Sequence, residues 1–184
     1  MREIASKSQL RSTFLRRVVV TVPLILLLGF ASGRLAQAGD ANRWYAALDK
    51  PALVPPDWAF PVAWSVLYVL LGVAIALVWN ARGSRWRGAA IAAFAVQMLL
   101  NLSWTPLFFG AHRVSAAMVL MVALLAAALL TTWLFGRVRT LAAWLMVPYL
   151  AWLCVAAALN WQIDRLNPDA EGLAAPAAST QIML

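Results

Sequence analysis

Three sets of polar and aromatic side chains stand one helical turn apart inside stretches that are otherwise apolar. Trp64 and Tyr68 are spaced i,i+4. Gln97, Asn101 and Thr105 are spaced i,i+4,i+8, and Trp152, Ala156 and Asn160 repeat that spacing. On a helix, each set occupies one face. A carboxamide facing hydrocarbon is costly, so these faces should turn inward. One reading is interhelical hydrogen bonding that glues helices together. The other is the wall of a site, since an apolar cavity with a few convergent polar groups is the usual form of a small-molecule pocket. Indole walls favour a flat, hydrophobic, partly polar ligand.

The same residues limit the chemistry. Apart from Arg34 at the rim of the first apolar run, no run holds an Asp, Glu, His, Lys or Arg. Proton relays in membranes use those groups, which counts against a proton-coupled transporter. Conventional acid–base catalysis lacks its side chains for the same reason. Cys154 is the single cysteine, so no intrachain disulfide can form. His112 is the single histidine and has no ligand-like neighbours, so no metal site is expected.

The elements that must position these residues follow from composition. Of 184 residues, 64% are hydrophobic and 12% charged. Soluble domains sit near half apolar and a quarter charged, and a chain of this length cannot hide that excess in a globular interior. Lipid is the remaining solvent. The apolar runs are approximately 18–37, 60–79, 88–109, 114–135 and 141–161. About 20 residues of helix cross a hydrocarbon core of about 30 Å. The expected fold is an all-α membrane protein, a bundle of five transmembrane helices in 18–165. A basic N-terminal tail, 1–17, precedes it. An Ala/Pro-rich tail, 166–184, follows and is expected to be disordered. No internal repeat suggests an inverted-repeat transporter. The first run, followed by Ala36-Gln37-Ala38, also has the look of a signal peptide, but Arg34 between core and cleavage site argues against cleavage.

The net charge of +8 lies in tails and short loops between the runs, where positive-inside bias rather than nucleic-acid binding explains it. Ten of the Lys and Arg residues fall in the N-terminal tail, the 80–87 loop and the 136–140 loop, and five fall on the other side. The N-terminus is therefore expected in the cytoplasm of a bacterial inner membrane, with the long 38–59 loop in the periplasm. Seven of the ten tryptophans, including Trp44 and Trp133, lie near run ends, as an interfacial belt would place them. Trp64, Trp104 and Trp152 lie deeper. Tyr68, Asn101 and Trp152 all fall roughly 12–14 Å below the long-loop surface, at about 1.5 Å per residue. Groups at one depth beneath one long loop describe a pocket with a lid.

At these residues the chain resembles the tryptophan-rich sensory protein and translocator protein family, also called the peripheral benzodiazepine receptor family. The matching segments are Trp44-Tyr45, Lys50-Pro51, Pro55-Pro56-x-Trp58-x-Phe60-Pro61-x-x-Trp64-x-x-x-Tyr68, Gln97-x-x-x-Asn101-x-x-Trp104-x-Pro106-x-Phe108-Phe109-Gly110, Pro148-Tyr149-x-x-Trp152 and Leu159-Asn160. The resemblance implies a five-helix bundle, usually a homodimer, that binds porphyrin, haem and steroid-like lipids beneath the first loop. Its pocket residues carry over to Trp44, Trp64, Tyr68, Asn101, Trp104 and Trp152. Gln97, Ala156 and Asn160 join them from the inward stripes. A tetrapyrrole would be a ligand, with no cofactor required. The leading reading is a receptor or sensor. The alternatives are a transporter of tetrapyrroles or sterols, and a light-dependent porphyrin-degrading enzyme with Trp64 and Trp152 as its candidate catalytic residues.

The chain departs from the family pattern in its lid and its last helix. Ala52-Leu53-Val54 stand where many relatives carry aromatics, and Leu159-x-Trp161-x-x-x-Arg165 offers Trp where a sterol pattern has Tyr. Gly29/Gly33 and Ala89/Ala93 are small-xxx-small pairs of the kind that pack helices. The resemblance favours the third helix as the dimer contact.

Overall fold

The computed structural model describes residues 7–52 and 54–173. Five helices are long and apolar enough to cross a bilayer. They are α1 (Lys7–Leu35), α3 (Ala59–Asn80), α4 (Arg87–Thr105), α5 (Val114–Val138) and α6 (Thr140–Leu166). A short α2 (Arg43–Ala46) lies in the long first loop. Helices solve the problem that hydrocarbon offers no partner for a backbone N–H or C=O. The ring order is α1, α3, α6, α5, α4, with α4 returning to touch α1 and α3.

Three boundaries differ from the sequence expectation. Helix α1 begins at Lys7, well inside the basic tail. Its arginines stay helical because long stems can run along apolar surface while the charge seeks water or an aromatic face. Arg17 does this over the Trp79 ring, 5.7 Å from its centroid. Helix α6 runs to Leu166, and residues 167–172 fold back onto the first loop rather than trailing away. Residues 174–184, the rest of the expected disordered tail, lie outside the described residues. Finally, α4 ends at Thr105 and the chain continues as a π-helical turn, Pro106–Gly110. Pro106 has no N–H to offer the preceding turn, and the Ala111 N–H closes the wider ring on the Pro106 carbonyl at 2.8 Å.

Close approach explains the packing of α1 on α3. Thr21 donates from its hydroxyl to the Gly72 carbonyl at 2.7 Å. A side chain on Gly72 would run into Val22. Of the small-residue pairs, Gly29 is filled by Tyr68 of the same chain and Gly33 faces open space. Ala93 packs on the chain's own core, whereas Ala89 is exposed.

The first loop is held at both of its neighbours. Asn42 caps α2, accepting from the Tyr45 N–H at 3.1 Å, and its amide donates to the Phe109 carbonyl at 3.0 Å. Asn167, just past α6, makes a two-way clamp with Asp49: it accepts the Asp49 N–H at 2.8 Å and donates to the Asp49 carbonyl at 2.9 Å. The Trp44 indole donates to the Ala170 carbonyl at 2.9 Å. Arg113 and Glu171 pair at 3.3 Å. The lid is therefore latched to the segment that follows α6.

Candidate functional site

Helices α3, α4 and α6 turn their polar faces toward one another as the i,i+4 spacings require. The Tyr68 hydroxyl donates to Asn101 Oδ1 at 3.2 Å. Asn101 Nδ2 donates to the Tyr149 hydroxyl at 3.1 Å, and that hydroxyl donates to Gln97 Oε1 at 2.9 Å. All four residues are buried. The chain satisfies most of the polar atoms that would otherwise be stranded in an apolar interior. One is left: Gln97 Nε2 is buried with no hydrogen-bond partner among the described residues. An unmet donor of this kind costs roughly 1–3 kcal/mol.

Aromatic rings surround this network. Trp64 lies 5.1 Å from Tyr68 and 6.5 Å from Tyr149, centroid to centroid. Phe60 meets Trp152 edge-on at 5.9 Å. Phe30 of α1 meets Tyr68 edge-on at 6.5 Å. Trp64, Trp152 and Ala156 are half-buried and pack against the main core. Indole faces and a short polar chain thus meet between α3, α4 and α6.

Trp44, Trp104 and Asn160 form a second group nearer the lid. Trp104 donates its indole N–H to Asn160 Oδ1 at 3.1 Å, and Asn160 donates onward to the Val114 carbonyl at 3.2 Å. Trp104 stacks on Phe108 at 4.9 Å, and Phe108 meets Trp44 at 5.6 Å. Trp104 touches both the main core and the lid core, so it joins the two groups. Trp44 is 1% exposed. That corrects its assignment to the interfacial belt: His112 stacks on its ring, Phe108 meets it edge-on, and its N–H is spent on Ala170. Trp133 and Trp144 remain exposed on the bundle surface, as a belt requires.

Tyr149 was absent from the candidate residues, yet it is the centre of the network. The signal was present. Tyr149 lies three residues before Trp152, one turn back on the same face, in mid-span where a hydroxyl needs a partner. The stacking of His112 on Trp44, at 4.4 Å and 12° between planes, left no trace in the spacing.

Electrostatics concentrate in the lid. Lys50 bridges to Asp40 and lies over the Tyr45 ring at 4.5 Å. Hydrogen bonds from Lys50, then Asp57, hold the Asp40 carboxyl below its ordinary value. The hydrogen bond to Asp40 pushes Asp57 above it. Burial raises Tyr45.

Residues 20–166 match the TspO/MBR family. The chain is 44% identical over 126 residues to "Protein CrtK" of Rhodobacter capsulatus, covering 68% of this chain and 79% of that protein. It is 37% identical over 155 residues to "Tryptophan-rich protein TspO" of Chlorobaculum tepidum, covering 82% and 96%. It is 37% identical over 142 residues to "Translocator protein" of Homo sapiens, covering 76% and 84%. Together with five apolar helices, these relatives make the chain an integral, multi-pass membrane protein. It belongs to the TspO/MBR family.

Proposed function

We propose that this chain is a membrane receptor or sensor that binds tetrapyrroles, porphyrin or haem, in the aromatic site beneath the lid. The observation that carries the reading is the chain Tyr68–Asn101–Tyr149–Gln97 enclosed by Trp64 and Trp152. Indole faces suit a planar macrocycle. The unmet Gln97 amide offers a donor to an acceptor on the ligand. No histidine stands in this cluster, and the hydroxyls of Tyr68 and Tyr149 are committed to Asn101 and Gln97. Stacking, rather than axial ligation of an iron, therefore supplies the affinity. Steroid-like lipids share the flat, apolar shape and are secondary ligands.

The orientation with the N-terminus in the cytoplasm of a bacterial inner membrane rests on the Lys/Arg asymmetry. A homodimer through α4 rests on the family and on the exposed Ala89 face.

One observation favours a second reading, light-dependent degradation of the porphyrin. Trp64 is in ring contact with Tyr68 and Tyr149, so oxidisable rings would adjoin an excited ligand. Titration of the purified protein with protoporphyrin in the dark, then under light with product analysis, separates the readings. Saturable binding without new products supports the receptor. New absorbing products that vanish in Trp64→Phe or Trp152→Phe support the enzyme. No saturable binding removes both.

A further inference from the structure

At the end of α1 lies an open cavity of about 440 Å³, bordered by Trp44 and Phe109 of the lid and away from the Tyr68–Asn101–Tyr149–Gln97 network. Its wall is made by the end of α1, the residues leading into α2, and the turn between α4 and α5. The polar groups on it are Gln37, Asn42, Arg43 and His112. No Asp or Glu lines it.

The state of those groups points to a ligand. Asn42 is spent on Tyr45 and Phe109. The side chains of Arg43 and Gln37, both exposed, have no hydrogen-bond or ion-pair partner among the described residues. His112 stacks flat on Trp44, which fixes its ring plane and leaves both ring nitrogens at its edge without a described hydrogen bond. Among the described residues, Gln37 and His112 are also the only non-glycine residues with positive φ, at 51° and 57°. At Gln37 the left-handed conformation also closes α1, the Ala38 N–H donating to the Gly33 carbonyl at 3.0 Å and the Gln37 N–H to the Arg34 carbonyl at 3.2 Å. Both examples in this fold line one cavity.

A second cavity offers a contrast. That one, about 420 Å³ between the lid and the end of α6, also holds two cations. There Lys50 is neutralised by Asp40, and Arg165 lies over Trp161. The guanidinium of Arg43 has no such partner.

We propose that this cavity is a phosphate-binding site, with Arg43 as the charged anchor and His112 and Gln37 as further donors. A guanidinium presents a planar fork that matches a phosphate's oxygens. The volume falls within the range of small-molecule sites, well above the roughly 30 Å³ that one water occupies. It admits a phosphate with the group esterified to it. The location suits either of two sources. Leu35, on the rim, is 86% exposed at the end of an apolar helix, which sets the cavity at the level of lipid headgroups. Its polar side faces water, from which a soluble phosphate could enter.

The chain's single histidine makes the test direct. A ring-labelled histidine gives one magnetic-resonance signal, from His112 alone. The full chain is held in a phosphate-free maltoside detergent, and inorganic phosphate is titrated in. In a second arm, phosphatidylglycerol is titrated into the micelles instead. A saturable shift in the second arm alone assigns the site to a lipid headgroup. A saturable shift in the first assigns it to a soluble phosphate. Either supports the proposal if Arg43→Gln weakens it by about tenfold or more, as loss of a charge-assisted bond does, while Arg82→Gln, outside the lid, leaves it unchanged. Gln37→Gly relieves the left-handed backbone yet removes a donor, so it should raise stability and still weaken the shift. The proposal is overturned if neither probe moves the signal, or if the shift survives Arg43→Gln intact.

Discussion

Gly29 of α1 is the socket for the ring of Tyr68 on α3: a Cβ at position 29 would come closer to the ring than the 3.0 Å that real Cβ contacts respect. The glycine thereby fixes where the Tyr68 hydroxyl sits, 3.2 Å from Asn101. Gly29→Ala gains up to about 1 kcal/mol of helix propensity. Overpacking a tight contact costs roughly 1–3 kcal/mol. The second term should win, because the ring cannot retreat without stretching its hydrogen bond. The expected outcome is a lower thermal midpoint in detergent and weaker porphyrin binding. Gly33→Ala, which meets nothing within 4 Å, should keep the propensity gain, so the midpoint should not fall and porphyrin binding should be unchanged. If Gly29→Ala binds porphyrin normally, Tyr68 does not need its observed position.

Opening of the lid should depend on Asn167. Its two bonds to Asp49 are each worth roughly 0.5–1.5 kcal/mol at a water-accessible position. Asn167→Ala should leave the bundle intact but raise hydrogen exchange in residues 42–52. Ligand dissociation should accelerate roughly 5- to 150-fold if both bonds are lost. Stopped-flow release of a bound porphyrin measures it. An unchanged release rate would mean that the ligand leaves between helices rather than past the lid.

The lid should also respond to acid, with two limbs. Asp40 is lowered chiefly by the hydrogen bond with Lys50. Its contribution to lid stability is present above the unfolded carboxylate value, about 3.9, and is lost as pH falls through the folded value. Asp57 is raised by the hydrogen bond with Asp40. Its contribution is present below the unfolded value and is lost as pH rises through the folded one. Lid exchange should therefore be slowest in a mildly acidic window and faster on both sides. Asp57→Asn should flatten the upper limb, and Lys50→Gln the lower. A featureless profile in the parent protein would show that these two carboxyls do not govern lid stability.

The five helices were legible because lipid imposes a pattern that little else produces: long runs without charge. Their inward faces were legible too, since Gln97, Asn101 and Asn160 have one way to avoid hydrocarbon. The ends were not. Arginine stems let α1 continue through positions that read as tail. Asn167 and Ala170 hold the lid through a backbone carbonyl and an amide clamp, neither of which has a spacing in sequence. Trp44 read as belt because position along the chain does not reveal which way an indole faces. Tyr149 stood in the family motif, but its pairing with Asn101 depends on the packing of α6 against α3 and α4, which only the fold supplies.

The site itself is tested by three leucines. Asn101→Leu removes the link between Tyr68 and Tyr149 and strands the buried Tyr68 hydroxyl, at roughly 1–3 kcal/mol, while Tyr149 keeps its bond to Gln97. Trp152→Leu removes the ring that meets Phe60. Loss of an aromatic face against a planar ligand costs on the order of 1–3 kcal/mol, by analogy with bases stacked on aromatic side chains. Both should weaken porphyrin binding roughly 5- to 150-fold. Trp133→Leu is the control. Trp133 is 49% exposed, meets Trp86 edge-on and carries Arg137 over its face, all away from the network. Leucine keeps much of the apolar volume in each case, which limits collapse of the bundle. Because Asn101→Leu strands a polar group, its thermal midpoint should drop more than that of Trp152→Leu while their affinities fall together. That split separates loss of a binding surface from loss of fold. Equal weakening in all three variants would show general destabilisation, and the aromatic network would then have no claim to be the binding site.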